Sequence, residues 1–156
     1  GAPMHQFFAT VAWQRDGQDF AGQRYSRGHE WRFDGGLTVA ASSSPLSVPL
    51  PMSVAENVDP EEALVAATSS CHMLFFLSLA AQRGYVIDDY RDDAVGELGK
   101  NAAGRLAMTR IVLRPRIAFA GTSPTPEALA ALHHDAHERC YIANSLTADV
   151  VVQGAH

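Results

Sequence analysis

From Asp59 to Arg83 the chain carries one long helical pattern that is apolar on nearly every side, and this stretch limits what the rest can be. Its start is well marked. Asp59 suits the N-cap, Pro60 the first helical position, and Glu62 completes a capping-box spacing. Gly84 is an ordinary stop signal. A helix that is apolar all round has to be covered, so the spacing predicts a buried central helix with other elements wrapped about it. Its longest apolar stretch reads as too short and too interrupted for a bilayer, which points to a core helix rather than a membrane span.

The flanking sequence supplies sheet. Phe7 to Arg15 reads as a strand ended by Asp16-Gly17, and Tyr25 to Phe33 as a second. Asp34-Gly35-Gly36 is a hairpin signal leading into Leu37 to Ala41. Residues 42–58 form a loop punctuated by Pro45, Pro49 and Pro51. It also carries Leu46, Val48, Leu50, Met52 and Val54, and such a loop is expected to cover something. Tyr85 to Glu97 and Arg105 to Phe119 read as two strands joined through Gly99 to Gly104. Thr125-Pro126-Glu127 opens a second helix with Leu129, Leu132, Ala136 and Cys140 on one stripe, and Thr147 to Gln153 is a last strand. The order βββ-α-ββ-α-β with antiparallel hairpins predicts an α+β fold.

Composition narrows the function classes. With 156 residues the expectation is one domain over residues 4–156, Gly1-Ala2-Pro3 having the look of a tag scar. A net charge of -5 without a Lys/Arg cluster speaks against nucleic acid. No signal-peptide pattern is read at the start, so a cytoplasmic location is expected.

The chain has two cysteines, and both fall in helical patterns. In a reducing compartment that suits thiol chemistry better than a disulfide framework. A cysteine acts as its thiolate, and a free thiol ordinarily titrates at about 8.5. Cys71 lies roughly three turns inside its helix, beyond useful reach of the macrodipole, and apolar burial alone would hold it protonated. A cation from elsewhere in the fold is therefore required. Cys140 ends the His-rich run Ala136-His137-Glu138-Arg139-Cys140. His134, His137 and Cys140 imitate a metal set, but ligands six apart on one helix point to different sides, so no metal or other cofactor is expected.

These residues resemble the OsmC/Ohr family of thiol-dependent hydroperoxide reductases. The resemblance rests on Asp59-Pro60-Glu61-Glu62, on Ser70-Cys71 with the cysteine ten residues after Glu61, and on the segment before Cys140. Tyr25-Ser26-Arg27 ahead of Asp34-Gly35-Gly36-Leu37 matches the family's catalytic arginine at Arg27, with Arg24 and Arg32 close by. The chain departs from the common pattern in reading Cys71-His72 and Cys140-Tyr141, where many members have Cys-Phe and Cys-Pro. The resemblance implies antiparallel sheets around long buried helices in an intertwined homodimer. It also implies an organic hydroperoxide as substrate and a lipoyl-type dithiol as reductant. In its terms Cys71 attacks the peroxide, Cys140 resolves the product to a disulfide, Arg27 holds the thiolate and Glu61 holds Arg27.

Helix geometry adds a constraint of its own. Ten residues place Glu61 about 15 Å along the axis from Cys71. If both serve one thiolate, either the helix breaks between them or they come from two subunits. Simpler roles exist for each residue. Either cysteine could be core, Glu61 could complement the helix dipole, Arg27 could be an ordinary strand residue, and His72 reads as a satisfied core histidine. Two other functions stay open: a non-enzymatic pocket for a small apolar ligand, and a metal-binding protein using Cys140 and nearby histidines.

Overall fold

The computed structural model describes residue 1 and residues 3–154; Ala2, within the expected tag scar, lies outside the described residues. The chain groups into two compact units, Gly1–Ala63 and Leu64–His156.

The first unit holds an antiparallel sheet of β1 (Ala9–Ala12), β2 (His29–Phe33) and β3 (Thr38–Ala41), in that order. Trp31 faces Val11 on one side and Val39 on the other, so one register runs through all three strands. The hairpin sits where the sequence put it. Gly36, at φ 100, donates its N–H to the Phe33 carbonyl, and Phe33 donates to Leu37. Both outer ends are shorter than expected. Tyr25 to Arg27 is loop, because Gln23 takes a left-handed φ of 63 and the Arg27 N–H turns to the Met52 carbonyl. In the loop of residues 42–58, buried Ser42 accepts from the Val54 N–H at 2.9 Å. Leu46 is 98% exposed, so within the chain it covers nothing.

Asp59 caps α1 (Pro60–Gln82) as expected. The box is reciprocal: Glu62 N–H donates to Asp59 Oδ1 at 2.8 Å, and Asp59 N–H to Glu62 Oε1 at 3.1 Å. Two expectations for this helix need correction. By length and composition it is long and apolar enough to cross a membrane. It also buries one stripe rather than every face. Thr68, His72, Phe76, Leu79 and Ala80 are buried, while Ala67, Ser70, Leu74, Ser78 and Ala81 are exposed. The reason lies in what packs on it within the second unit. Phe76, Leu79 and Ala80 form one core cluster with Leu129, Leu132 and Ala136, and Tyr85, Ile87, Tyr90, Ile117 and Phe119 pack against that cluster.

The rest of the second unit is β4 (Val86–Asp92), β5 (Val95–Lys100), β6 (Leu106–Leu113), β7 (Pro115–Ala120), α2 (Pro126–Arg139), α3 (Tyr141–Asn144) and β8 (Asp149–Val152). The two long strands expected here are four. β4 pairs with β7 and β5 with β6, both antiparallel, and the ribbon breaks at the same level on each side. Pro115 has no N–H to give the ladder. Asp92 takes over, accepting the Arg114 N–H at 2.7 Å, while Arg114 Nε donates to the Asp93 carbonyl. β8 pairs with β6 in parallel, which the antiparallel expectation missed; the crossover through α2 and α3 supplies the connection such a pair needs. Gly96 lets α1 approach this sheet, since a Cβ there would meet Val65 and Met108 at 2.5 Å. The result is α+β, as predicted.

Candidate active site

Cys71 sits half-buried on α1, and Cys140 is 1% exposed at the corner between α2 and α3. The corner exists because Cys140 takes an extended backbone, φ -66 and ψ 109, which ends α2 and starts α3. Its N–H closes α2 on the His137 carbonyl, and its Sγ accepts the Ala143 N–H at 3.4 Å as the N-cap of α3. Thus Cys140 closes the His-rich helix, as read from the sequence, and also begins a turn that was not foreseen.

Both cysteines are free, and the Cys71 thiol lies near enough to Cys140 to affect its titration. Burial pushes the Cys140 thiol above its ordinary pKa, and the neighbouring Cys71 thiol pushes it further; the N–H groups of Ala143 and Ile142 pull the other way without reversing the shift. At neutral pH Cys140 therefore carries its proton. It is a poor first nucleophile, and Cys71 is the more accessible of the two.

Arg27 and Glu61 both lie in the first unit. Arg27 stacks 3.6 Å over the Tyr25 ring and donates to the Tyr25 carbonyl at 2.6 Å, the Gln23 carbonyl at 3.3 Å and Gln23 Oε1 at 3.0 Å. Tyr25 in turn stacks on Phe20 at 4.8 Å, with Trp13 edge-on at 5.4 Å. The guanidinium is thus held by its own loop, not by Glu61. Glu61 Oε2 is enclosed and has no hydrogen-bond partner among the described residues. Arg32 pairs with Glu30 at 3.1 Å. The helix carrying Glu61 and Cys71 runs without a break between them, which removes the first of the two geometric alternatives.

His72 is a core histidine, as expected, but only one of its ring nitrogens is satisfied, and its partner was missed. His72 Nε2 lies 3.0 Å from His133 Nδ1, with the rings nearly parallel, while His72 Nδ1 and His133 Nε2 are enclosed without partners among the described residues. Burial is the main force holding both rings at a pKa of about 4; for His72, nearby His137 lowers it further and Asp92 opposes. His133 was legible in principle, since it lies on the same buried stripe as Leu129 and Ala136. Tyr141, beside Cys140, meets the Phe75 ring edge-to-face at 5.1 Å. Both positions that depart from the family pattern, His72 and Tyr141, thus make helix-to-helix contacts. His134 lies 4.0 Å from Glu138, and no group of three His, Cys, Asp or Glu among the described residues could hold a metal ion.

Residues 54–153 match the family model described as OsmC-like protein. The chain is 53% identical to an OsmC-like protein of unknown function from Vibrio cholerae, over 96% of this chain and 99% of that one, with a TM-score of 0.93. Two organic hydroperoxide resistance proteins share its fold. One, from Legionella pneumophila, is 16% identical with a TM-score of 0.69, covering 97% of each chain. The other, from Elizabethkingia anophelis, is 17% identical with a TM-score of 0.69, covering 96% of each. No curated protein matches the chain.

Proposed function

The chain belongs to the OsmC-like family, and from that premise we propose that it is a thiol-dependent peroxidase reducing organic hydroperoxides. The observation that carries the reading is a pair of free thiols near enough to influence one another, one half-buried and one buried and protonated.

In the proposed cycle the Cys71 thiolate attacks the distal peroxide oxygen. The O–O bond breaks, the alkoxide takes a proton and leaves as alcohol, and Cys71 becomes a sulfenic acid. Cys140 sulfur then attacks Cys71 sulfur; its proton and the sulfenic hydroxyl leave as water, and a disulfide forms. An external dithiol restores both thiols by exchange and is itself oxidised to a disulfide. A lipoyl-type dithiol is the proposed reductant. Arg27 stabilises the thiolate and the developing charge on the departing oxygen.

The site is proposed to be shared between two copies of the chain. Support comes from the unbroken helix, the unpartnered Glu61 Oε2, and an α1 stripe that leaves Leu74 59% exposed. Arg27 and Glu61 of one subunit would then serve Cys71 of the other.

Counting free thiols before and after one equivalent of cumene hydroperoxide tests the reading. Both thiols should be lost together, with alcohol released. Retention of both would favour the non-enzymatic apolar-ligand alternative.

A further inference from the structure

Two contacts between helices lie beside the thiol pair. The first is the His72–His133 hydrogen bond, 3.0 Å long, between rings inclined by 8° whose residues are 1% and 4% exposed. The second is the Phe75–Tyr141 edge-to-face pair, at 85° between ring planes. On α1, His72 follows Cys71 directly and Phe75 stands one turn further on, on the cysteine's own face. On the other side, His133 precedes Cys140 by about two turns of α2 and Tyr141 follows it directly. Cys140 therefore has a tethered residue on either side of it, and Cys71 has two within the next turn.

The histidine pair is an expensive way to fill a core. It leaves two enclosed ring nitrogens without a partner among the described residues, a desolvation cost that two apolar side chains would not incur. A directional N–H···N bond does supply something apolar packing lacks. It is lost if α1 slides along α2 by a single residue, about 1.5 Å, or rotates appreciably. Disulfide closure has a similarly narrow tolerance, since the two Cα atoms must lie roughly 4.4–6.8 Å apart with the Cβ vectors converging.

We propose that His72–His133 and Phe75–Tyr141 are positioning contacts that fix α1 against the α2–α3 corner in the register where Cys71 and Cys140 can close a disulfide. Neither contact takes part in the attack on peroxide. The inference rests on the reading that these two thiols pair during turnover, but it concerns their geometry alone and can be tested without peroxide.

The test equilibrates the full chain with oxidised and reduced dithiothreitol in varied ratio. Closure passes two electrons and two protons from the cysteines to the oxidised reagent, and trapping by alkylation reads the fraction closed. His133→Leu and Tyr141→Ala should each lower the exchange constant tenfold or more, about 30 mV in potential. Tyr141→Phe, which keeps the ring contact, should match the parent chain. A merely structural role would lower the denaturation midpoint and leave the exchange constant where it was, so unfolding curves are recorded for each variant. An unchanged constant in both His133→Leu and Tyr141→Ala overturns the proposal, as does a parent chain that never closes. Closure with dithiothreitol but not with cumene hydroperoxide would sink the peroxidase reading and leave this inference standing.

Discussion

Arg27 is pre-set in its loop by a stacked tyrosine and three acceptors, so the guanidinium is fixed before any substrate arrives. Pre-organised cations of this kind stabilise charge without reorganising, and removing one such donor typically costs roughly 10²–10³-fold in rate. Arg27→Ala should therefore lower kcat/KM for cumene hydroperoxide by roughly 10²-fold, measured as alcohol formed. A loss below threefold would shift the role to Arg24 or Arg32. The buried histidines make a second residue-level expectation. Their folded pKa values are about 4 against an ordinary 6.5, so between those values the unfolded chain binds more protons than the folded one. Stability is then complete above about pH 6.5 and falls as pH drops toward 4, by roughly 1.4 kcal/mol per histidine per unit. Urea unfolding at pH 7 and pH 5 checks this, and His133→Leu should flatten the slope. Asp92, facing His72, softens the effect and His137 strengthens it. Both cysteines could be singled out from the sequence because their contexts are local. The His72–His133 bond could not, since it joins residues 61 apart and depends on how two helices meet.

The start of α1 was legible to the residue because a capping box is written in four consecutive positions. Asp59→Ala removes the acceptor for the Glu62 N–H and should cost about 1 kcal/mol of stability, read from the urea midpoint at constant slope. Asp59→Ser should recover most of it. The long strands were legible only as β-branched runs, and their break was not. Nothing next to Arg114 in sequence announces that Asp92 will accept its N–H. Pro115 was the available signal, as a residue that cannot donate to a central ladder. The parallel β6–β8 pair was hidden for the same reason, because strand direction follows from the crossover and not from the composition of residues 149–152.

At the scale of the molecule, an apolar helix exposed along one stripe and a glutamate oxygen without a partner among the described residues are what the proposed two-copy site rests on. The all-round apolar pattern of α1 was readable, while the face left open within one chain was not. Mixing Cys71→Ser with Arg27→Ala protein under subunit exchange should regenerate about a quarter of the original activity, because half the dimers are mixed and each holds one intact site. No recovery despite proven exchange would mean that each chain builds its own site. Apolar side chains flank Cys71 on α1, among them Leu74 and Phe75, and Leu46 and Leu50 are exposed in the first unit. Each substrate methylene buried should therefore add roughly 0.8 kcal/mol, and cumene hydroperoxide should be preferred over hydrogen peroxide. Equal specificity constants would contradict that. The most direct test of the account treats the Cys71→Ser and Cys140→Ser proteins with one equivalent of cumene hydroperoxide and measures alcohol released and thiol state. Cys140→Ser should release one equivalent of alcohol and hold a sulfenic acid on Cys71, over-oxidising with excess peroxide, while Cys71→Ser should release none and keep Cys140 as a thiol. Oxidation of Cys140 in the absence of Cys71, with Cys71 inert in the absence of Cys140, would reverse the two roles and contradict the account.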